Sequence, residues 1–229
     1  MIPENKDRLR HEIKFVTEPE NYSSVSNWLY SSPFGFKTAY PPRQVNNVYF
    51  DTIDLRSYQV NLSGLSMRDK MRYRWYGCLV EPATGRLEVK CKKSSLGWKQ
   101  VAALSCPVNI QDKCWNDIRR QLRSQLPVEF RIVLDFNPFP VLINSYRREY
   151  FVSGDGVVRI TIDRELTAFD QRHGRTPNLT KRALLQNKLI LEVKCERAYR
   201  DISSKILTGI PLRRSRHSKY VTALEAILS

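Results

Sequence analysis

The sequence repeatedly places cationic side chains two residues apart. In residues 67–76, MRDKMRYRWY, four of them alternate with other residues: Arg68, Lys70, Arg72 and Arg74. Successive side chains of a β-strand point to opposite faces, so these four cations would share one face. A guanidinium is a planar fork of donors that can bind two phosphate oxygens at once, and an ammonium group adds compact positive charge. The spacing therefore predicts a surface suited to phosphate groups.

Four further segments show the same alternation, with carboxylates among the cations. Their charged positions are Glu12 and Lys14; Arg86, Glu88, Lys90 and Lys92; Arg159 and Asp163; and Glu192, Lys194 and Glu196.

Two arrangements of the strands satisfy this pattern. One is a sandwich or open sheet with solvated outer faces. The other is a closed antiparallel barrel with apolar sides outward against helices, whose charged faces line a wet tunnel. So many cations in a tunnel would need water, carboxylates or a bound polyanion to compensate them.

Two glutamates are the candidate metal ligands. Carboxylate oxygens suit a hard divalent ion such as Mg²⁺ or Mn²⁺, which can bridge a protein to phosphates. We assign Glu192 and Glu12 this role; the alternative is that they neutralise neighbouring lysines. The three histidines are scattered along the chain, and none of the five cysteines is in a CxxC pair, so a zinc site or a disulfide framework is not expected.

The segment 213–220, RRSRHSKY, precedes a predicted helix. Free backbone N–H groups and the positive end of the helix dipole favour an anion at a helix start, and basic side chains add to this. The segment is thus either a phosphate site or a plain N-cap on a solvated helix.

Hydrophobic periodicity predicts the elements that position these groups. Period-two segments predict eight strands, at about 8–16, 44–50, 67–78, 85–93, 98–105, 140–153, 157–165 and 188–196. Helical patterns fall at 19–30, 54–62, 112–124, 199–207 and 217–228. No repeat or linker divides the chain, so residues 1–229 are expected to form one mainly β (α+β) domain, an eight-stranded antiparallel barrel with helices around it if the charged faces turn inward.

The 229 residues include 38 Lys+Arg and 23 Asp+Glu, a formal net charge of +15, which points to a polyanionic partner. An RNA-binding β-barrel is one such reading, and it requires aromatic side chains on the charged faces. Most of the strand aromatics fall on the apolar side of their strands and are expected in the core, so a nucleic-acid partner is disfavoured. These aromatics are Tyr49, Phe50, Tyr73, Trp75, Tyr146 and Tyr150.

We find no apolar run long enough to span a bilayer and no apolar N-terminal segment typical of a secretory signal, and expect a cytoplasmic location.

Several motifs in order resemble the VTC polyphosphate polymerase domain of the triphosphate tunnel metalloenzyme, or CYTH-like, superfamily. They are HEIKF, KMRYRWYG, LEVKCKK, SYRREYF with VVRITIDRELTAFD, LEVKCE and SRHSKY, and they cover the chain from about residue 8 to the C-terminus. The resemblance implies the eight-stranded tunnel fold. The first strand departs from the superfamily's ExExK pattern, because Arg10 stands at the position of the first glutamate. This puts a hydrolase that uses both glutamates for two metals in doubt.

The resemblance also implies roles for individual residues. Phosphate contacts are expected from Lys14, Arg72, Arg74, Lys90, Lys99, Arg148 and Arg159, with Arg216, Ser218 and Lys219 as a basic motif near the tunnel mouth. We assign a catalytic role to Lys14, Arg72, Arg74, Lys90 and Lys219. Phosphate binding is assigned to Lys99, Arg148, Arg159, Lys194, Arg216 and Ser218.

The expected function is phosphoryl transfer, most simply an ATP-dependent polyphosphate polymerase with Mn²⁺ or Mg²⁺ as cofactor. Its partners would be ATP or another triphosphate and inorganic polyphosphate. A tripolyphosphatase or nucleoside triphosphatase of the same fold and a non-catalytic polyphosphate-binding module are the alternatives. Association with a membrane through a separate protein partner stays open.

Overall fold

A computed structural model describes residues 10–93, 96–196 and 200–229. These residues form one antiparallel sheet in the order β5-β4-β3-β2-β6-β7-β8-β1-β9. The nine strands are β1 (Arg10–Thr17), β2 (Lys37–Asp51), β3 (Met67–Tyr76), β4 (Arg86–Lys93), β5 (Leu96–Ala103), β6 (Phe139–Val152), β7 (Arg159–Asp170), β8 (Leu189–Glu196) and β9 (Arg214–Ser215). The fold class is therefore mainly β with helices, as the sequence predicts.

The sheet curls, but it does not close as the expected eight-stranded barrel. Within the described residues its two ends meet at one residue pair, Arg10 of β1 with Gly97 of β5. Further along, the same edge of β1 pairs with the two-residue strand β9, through Lys14 with Ser215. Because β9 occupies this part of the edge, β5 cannot pair along the length of β1. The prediction of a closed eight-stranded ladder is therefore wrong in strand number and in closure.

Six α-helices and one short 3₁₀ helix (Pro19–Asn21) surround the sheet. The α-helices are α1 (Tyr22–Ser31), α2 (Arg56–Leu62), α3 (Trp115–Ser124), α4 (Val128–Phe136), α5 (Arg200–Gly209) and α6 (Lys219–Leu228). Helix α4 was not expected, because its β-branched residues and short length give no clear helical period. Within the described residues, no helix has the length and apolarity needed to cross a bilayer.

The convex face of the sheet is apolar and covered by helices. Trp115, Ile118 and Leu122 of α3 belong to one buried cluster with Tyr73 and Trp75 of β3. A second cluster joins α1 and α5 to β1, β7 and β8, through Val25, Leu29, Ile206, Phe15, Ile160 and Leu191. Burial of these apolar side chains is the main stabilising term available to the fold. It leaves the charged sides of the same strands on the concave face.

Helix α6 lies on the concave side, at one end of the curled sheet. Tyr220 and Leu224 of α6 are buried against Tyr49 of β2 and Leu142 of β6. The α6 helix thus blocks the apolar end of the concave face. It also brings its own N-terminus to the charged part of that face.

Candidate phosphate-binding face

The concave side of the sheet carries a continuous group of charged side chains, which we call the inner face. Its charged members are Glu12, Lys14, Lys70, Arg72, Arg74, Arg86, Glu88, Lys90, Lys99, Arg148, Asp163, Glu192 and Lys194, with Lys219 from α6. Strand register aligns them, since Arg72 pairs with Glu88, Lys90 with Lys99, Arg148 with Asp163 and Lys14 with Glu192. The period-two alternation in the sequence produces this arrangement directly.

Glu88 is the centre of the first charge cluster and is fully buried. Its carboxylate lies 2.6 Å from Arg72 Nη2, 2.9 Å from Lys99 Nζ and 3.0 Å from Arg86 Nε. Arg74 Nη1 is 3.6 Å away. One carboxylate therefore holds four cations from β3, β4 and β5 in fixed positions.

Asp163 is the centre of the second cluster and joins the sheet to α6. It accepts two hydrogen bonds from Arg148, from Nε at 2.5 Å and Nη2 at 2.7 Å. The ammonium group of Lys219 lies 2.5 Å from the same carboxylate and 4.8 Å from the centroid of the Tyr146 ring. The buried carboxylate of Asp163 thus holds two predicted phosphate-binding residues, Arg148 and Lys219, side by side.

The third cluster contains both predicted metal ligands. Lys14 Nζ lies 3.1 Å from Glu12 Oε1 and 3.6 Å from Glu192 Oε1. Lys90 reaches Glu12 Oε2 at 2.8 Å, and Lys194 reaches Glu192 Oε2 at 3.0 Å. The structure therefore brings Glu12 and Glu192 together, and the cations between them are lysines.

Burial and charge shift the pKa values of these groups in opposite directions. Burial raises the pKa of Glu88, but Arg72 and Arg74 outweigh it and hold that pKa far below its usual range. The pKa of Asp163 is lowered in the same way by Arg148 and Lys219, and that of Glu192 by Lys194 and Lys14, again against the effect of burial. These three carboxylates are ionised at neutral pH.

Lys70 differs from its neighbours because no carboxylate lies within ion-pair distance of it among the described residues. Its Nζ donates a 2.7 Å hydrogen bond to Ser218 Oγ and lies 5.5 Å from the centroid of the Tyr220 ring. Burial, followed by the charges of Lys14 and Lys90, lowers the pKa of Lys70 to about 7. The sequence pattern places Lys70 with Arg72 and Arg74, but we had not assigned it to the site.

The α6 end is built as an N-cap. The Ser218 side chain accepts a hydrogen bond from the backbone N–H of Val221, as expected for a helix start near residues 215–218. Lys14 Nζ donates a 3.0 Å hydrogen bond to the carbonyl of His217 and ties this segment to β1. Burial, with the charges of Lys219 and Lys14, lowers the pKa of His217 to about 4, so its imidazole is neutral at pH 7.

Two predicted phosphate ligands stand apart from the clusters. Arg159 is exposed at the start of β7 and pairs in register with Lys194. Both residues line a cavity of about 210 Å³ together with the β6–β7 turn. Arg216 is exposed in the link between β9 and α6, and within the described residues no hydrogen bond or ion pair joins it to the inner face.

The expectation that most strand aromatics are buried is confirmed for Tyr49, Phe50, Tyr73, Trp75 and Tyr146, while Tyr150 is half-buried. Two of the buried tyrosines nevertheless contact the charges of the inner face. The hydroxyl of Tyr49 accepts a hydrogen bond from Arg72, and that of Tyr146 accepts one from Arg74. Tyr150 follows Arg148 by two residues and so shares its face. Only Phe50, Tyr73 and Trp75 of the six pack on the apolar convex side. The inner face is therefore lined by phenol groups as well as charges.

A model of the VTC domain matches residues 9–228. The chain belongs to the VTC domain family. No curated protein matches it. Two solved structures share the fold of this VTC domain. The PH1819 protein of Pyrococcus horikoshii OT3 is 14% identical, with a TM-score of 0.50 over 94% of this chain and 98% of that one. A Vibrio parahaemolyticus protein solved as a "putative adenylate cyclase" is 11% identical, with a TM-score of 0.51 over 96% and 98%.

The VTC domain has polar groups on its inner face that its own side chains leave unpaired. Thr161 Oγ1, Asn144 Nδ2 and His217 Nε2 are buried and have no hydrogen-bond partner among the described residues. Buried polar atoms are nearly always paired with protein, water or ligand. These three atoms therefore fit a face that is filled by a polar ligand or by water.

Sequence reasoning missed the residues that hold the predicted phosphate-binding side chains in place. Glu88 and Asp163 were seen on charged strand faces but were not assigned to the site, and Tyr146 was placed in the core. Strand alternation could have identified all three, because each lies on the same strand face as a predicted phosphate-binding residue. Their roles depend on which strands pair, which a single sequence does not give.

Proposed function

We propose that this VTC domain transfers the terminal phosphoryl group of a nucleoside triphosphate, most simply ATP, to a polyphosphate chain on the inner face. The observation that carries the proposal is the charge imbalance of that face. Counted within the described residues, four carboxylates are in contact with nine cationic groups along it, and a tenth cation, Lys70, has no carboxylate partner. The carboxylates are Glu12, Glu88, Asp163 and Glu192.

The arrangement of the cations explains why a thin phosphate chain suits this face better than a broad polyanion such as a nucleic acid. The cations converge from six strands of a curled sheet and from α6, so they surround a narrow anion on several sides. Membership of the VTC family supports a triphosphate-related activity.

Phosphoryl transfer needs little covalent chemistry from the protein. Positioning of the attacking and leaving oxygens in line, with stabilisation of the charge on the transferred group, accounts for most of the catalysis. Glu88 and Asp163 hold Arg72, Lys99 and Arg148 in place before the substrate arrives. An acceptor phosphate oxygen would attack directly; a water in its place would give hydrolysis.

The donor set also fits a divalent ion. The structure contains no group of three or more His, Cys, Asp or Glu side chains that could hold a metal alone among the residues it describes. Mg²⁺ and Mn²⁺, however, are commonly held by one or two carboxylates together with substrate phosphates and water. Glu192 and Glu12 would hold such an ion, which when bound neutralises charge on the phosphates.

The test is incubation with ATP and Mn²⁺, followed by gel separation of polyphosphate and measurement of ADP and orthophosphate. We expect long polyphosphate and ADP. Orthophosphate alone would make the protein a triphosphatase, and binding without turnover would make it a non-catalytic module; either result overturns the polymerase assignment.

Matched arginine variants connect the activity to the inner face. Arg72→Ala should weaken triphosphate binding, since it removes a fork of donors. Arg120→Ala is the control, because Arg120 lies on the outside of α3 with 79% of its side chain exposed. Equal activity in both variants would exclude the inner face as the site.

A polyphosphate acceptor and a separate membrane partner are part of the same proposal, and product analysis with and without membranes tests them.

A further inference from the structure

A group of tyrosines and arginines lies beside the charged clusters, at the end of the inner face away from α6. Arg43 of β2 has its guanidinium carbon 5.1 Å from the centroid of Tyr40, 5.7 Å from that of Tyr76 and 5.8 Å from that of Tyr150. The guanidinium carbon of Arg86 lies 5.4 Å from the centroid of Tyr76. We call these five residues the aromatic end.

The aromatic end is continuous with the phosphate-binding residues. Arg43 pairs in register with Arg148, and Tyr150 follows Arg148 by two residues on the same face. On β3, Tyr76 likewise follows Arg74 by two residues and shares its face. Leu142, which packs against α6, is eight residues from Tyr150 along β6, or about 26 Å at the rise of a strand. The aromatic end and α6 therefore lie at opposite ends of the inner face.

The local backbone presents this group to solvent. The pairing of β2 with β6 is irregular on both sides of Tyr40, and Pro41 and Pro42 separate Tyr40 from Arg43. Proline fixes φ, and bulges commonly redirect side chains next to functional sites. Tyr40 is 56% exposed although it is a large aromatic residue. Arg43 has no ion pair with any carboxylate of the described chain, so its planar cation is held only by rings.

We infer that the aromatic end binds the base of the nucleoside triphosphate whose phosphates occupy the adjacent cations. Aromatic rings do not bind phosphate, but rings and a guanidinium plane both stack on a base, and every base has such a face. A nucleotide is the ligand that carries a planar ring next to a phosphate chain. The inference rests on the proposed function and adds the part of the substrate that polyphosphate lacks.

The test compares the affinities of ATP and tripolyphosphate for the full chain by titration calorimetry at one ionic strength and without turnover. In the wild-type protein, ATP should bind more tightly than tripolyphosphate. Tyr40→Ala should weaken ATP binding about 5- to 150-fold, the range for loss of one stacked base. It should leave tripolyphosphate binding within about twofold, because the phosphate ligands are untouched. Tyr40→Phe keeps the ring and should bind ATP as the wild-type protein does.

Phe136→Ala is the matched control, since Phe136 is an aromatic residue on α4 that is more exposed than Tyr40, at 73% against 56%. It should change neither affinity. The inference is overturned if Tyr40→Ala weakens both ligands equally or neither, or if the wild-type protein binds tripolyphosphate as tightly as ATP. Those outcomes leave the proposed function standing. Failure of the wild-type protein to bind tripolyphosphate at all would instead contradict the proposed function.

Discussion

Lys70 donates a hydrogen bond of 2.7 Å to the side chain of Ser218, and this contact joins the middle of the sheet to the first turn of α6. Ser218 also caps that helix. The ammonium group faces other cations, from Lys14, Lys90, Arg68 and Arg72, and no carboxylate among the described residues pairs with it. Lys70 is therefore the inner-face cation for which a bound anion would change the electrostatic environment most.

The first prediction is that triphosphate binding takes up protons through Lys70. Its pKa of about 7 means that much of Lys70 is neutral in the free protein above pH 7. A bound polyanion favours the protonated form and raises that pKa. Between pH 8 and pH 9.5 the affinity for tripolyphosphate should therefore fall as pH rises, by up to about tenfold per unit for one proton.

Calorimetry in buffers of different ionisation enthalpy measures the uptake. Lys70→Met keeps the length of the side chain and should reduce the number of protons taken up. Some uptake should persist, because burial also lowers the pKa values of Lys90 and Lys99. Identical uptake by the wild-type and Lys70→Met proteins would contradict the role assigned to Lys70.

The charged faces could be predicted from sequence because alternation is a local property. Arg72, Arg74 and Lys90 lie on the inner face as their parity requires, whatever strands they pair with. The partners of the inner-face cations depend on register between strands far apart in sequence, such as β1 with β8, so the Lys14–Glu192 pair could not be derived. Strand β9 has only two residues and no period, and it pairs with the edge of β1 that β5 would need for closure.

The tyrosines show a different limit. Tyr146 and Arg148 share parity, as do Tyr76 and Arg74, so their common face could have been read from the sequence. Assigning most strand aromatics together to the apolar parity hid this. A phenol combines an apolar ring with a hydrogen-bonding group, and beside buried arginines both parts are used. Burial raises the pKa of Tyr146, but Arg148 and Arg74 outweigh it and lower that pKa to about 8.

The second prediction concerns Glu88. Glu88→Gln removes the negative charge from a buried group with four cationic neighbours and leaves them to repel one another. Breaking a buried ion pair by removal of one partner costs about 3 kcal/mol or more. The free energy of unfolding, measured with urea, should fall by about that amount. Asp135→Asn, which alters an exposed pair with Arg119 and Arg123, should cost less than about 1 kcal/mol.

Tripolyphosphate and pH should modify the Glu88→Gln defect in a defined way. Because the anion replaces the lost charge, it should stabilise the variant more than it stabilises the wild-type protein. The folded-state pKa of Glu88 is depressed, so its contribution is present above its usual pKa of 4.5 and is lost as pH falls below that value. The stability difference between the two proteins should therefore shrink in acid. A difference that is constant from pH 7 to pH 3 would contradict this account.

The third prediction separates the two readings of Glu192, a metal ligand and a neutraliser of lysines. If it is a ligand, Glu192→Gln should abolish the strengthening of tripolyphosphate binding by Mn²⁺. Metal-free binding should be unchanged or tighter, since a negative charge beside Lys14 and Lys194 has been removed. Calorimetry with and without Mn²⁺ measures both effects. If Mn²⁺ strengthens binding equally in the wild-type and variant proteins, Glu192 is not a ligand.

The fourth prediction tests whether the position of α6 determines phosphate binding. The Tyr220 hydroxyl donates a hydrogen bond to Asp51, whose carboxylate also accepts from the backbone N–H groups of Ser57 and Tyr58 at the start of α2. Tyr220→Phe removes a buried hydrogen bond to a charged group, which costs about 2 kcal/mol of unfolding free energy. Because α6 carries Ser218 and Lys219, loosening it should also weaken tripolyphosphate binding.

Tyr22→Phe supplies the matched comparison for Tyr220→Phe. Tyr22 also donates to a carboxylate, Glu149, at 3.0 Å, but the contact ties α1 to β6 away from the inner face. Both variants should lose stability in urea unfolding, and only Tyr220→Phe should lose affinity for tripolyphosphate. If both lose affinity equally, the effect is a general consequence of reduced stability. If neither does, the anchoring of α6 through Asp51 does not control how Lys219 and Ser218 meet the ligand.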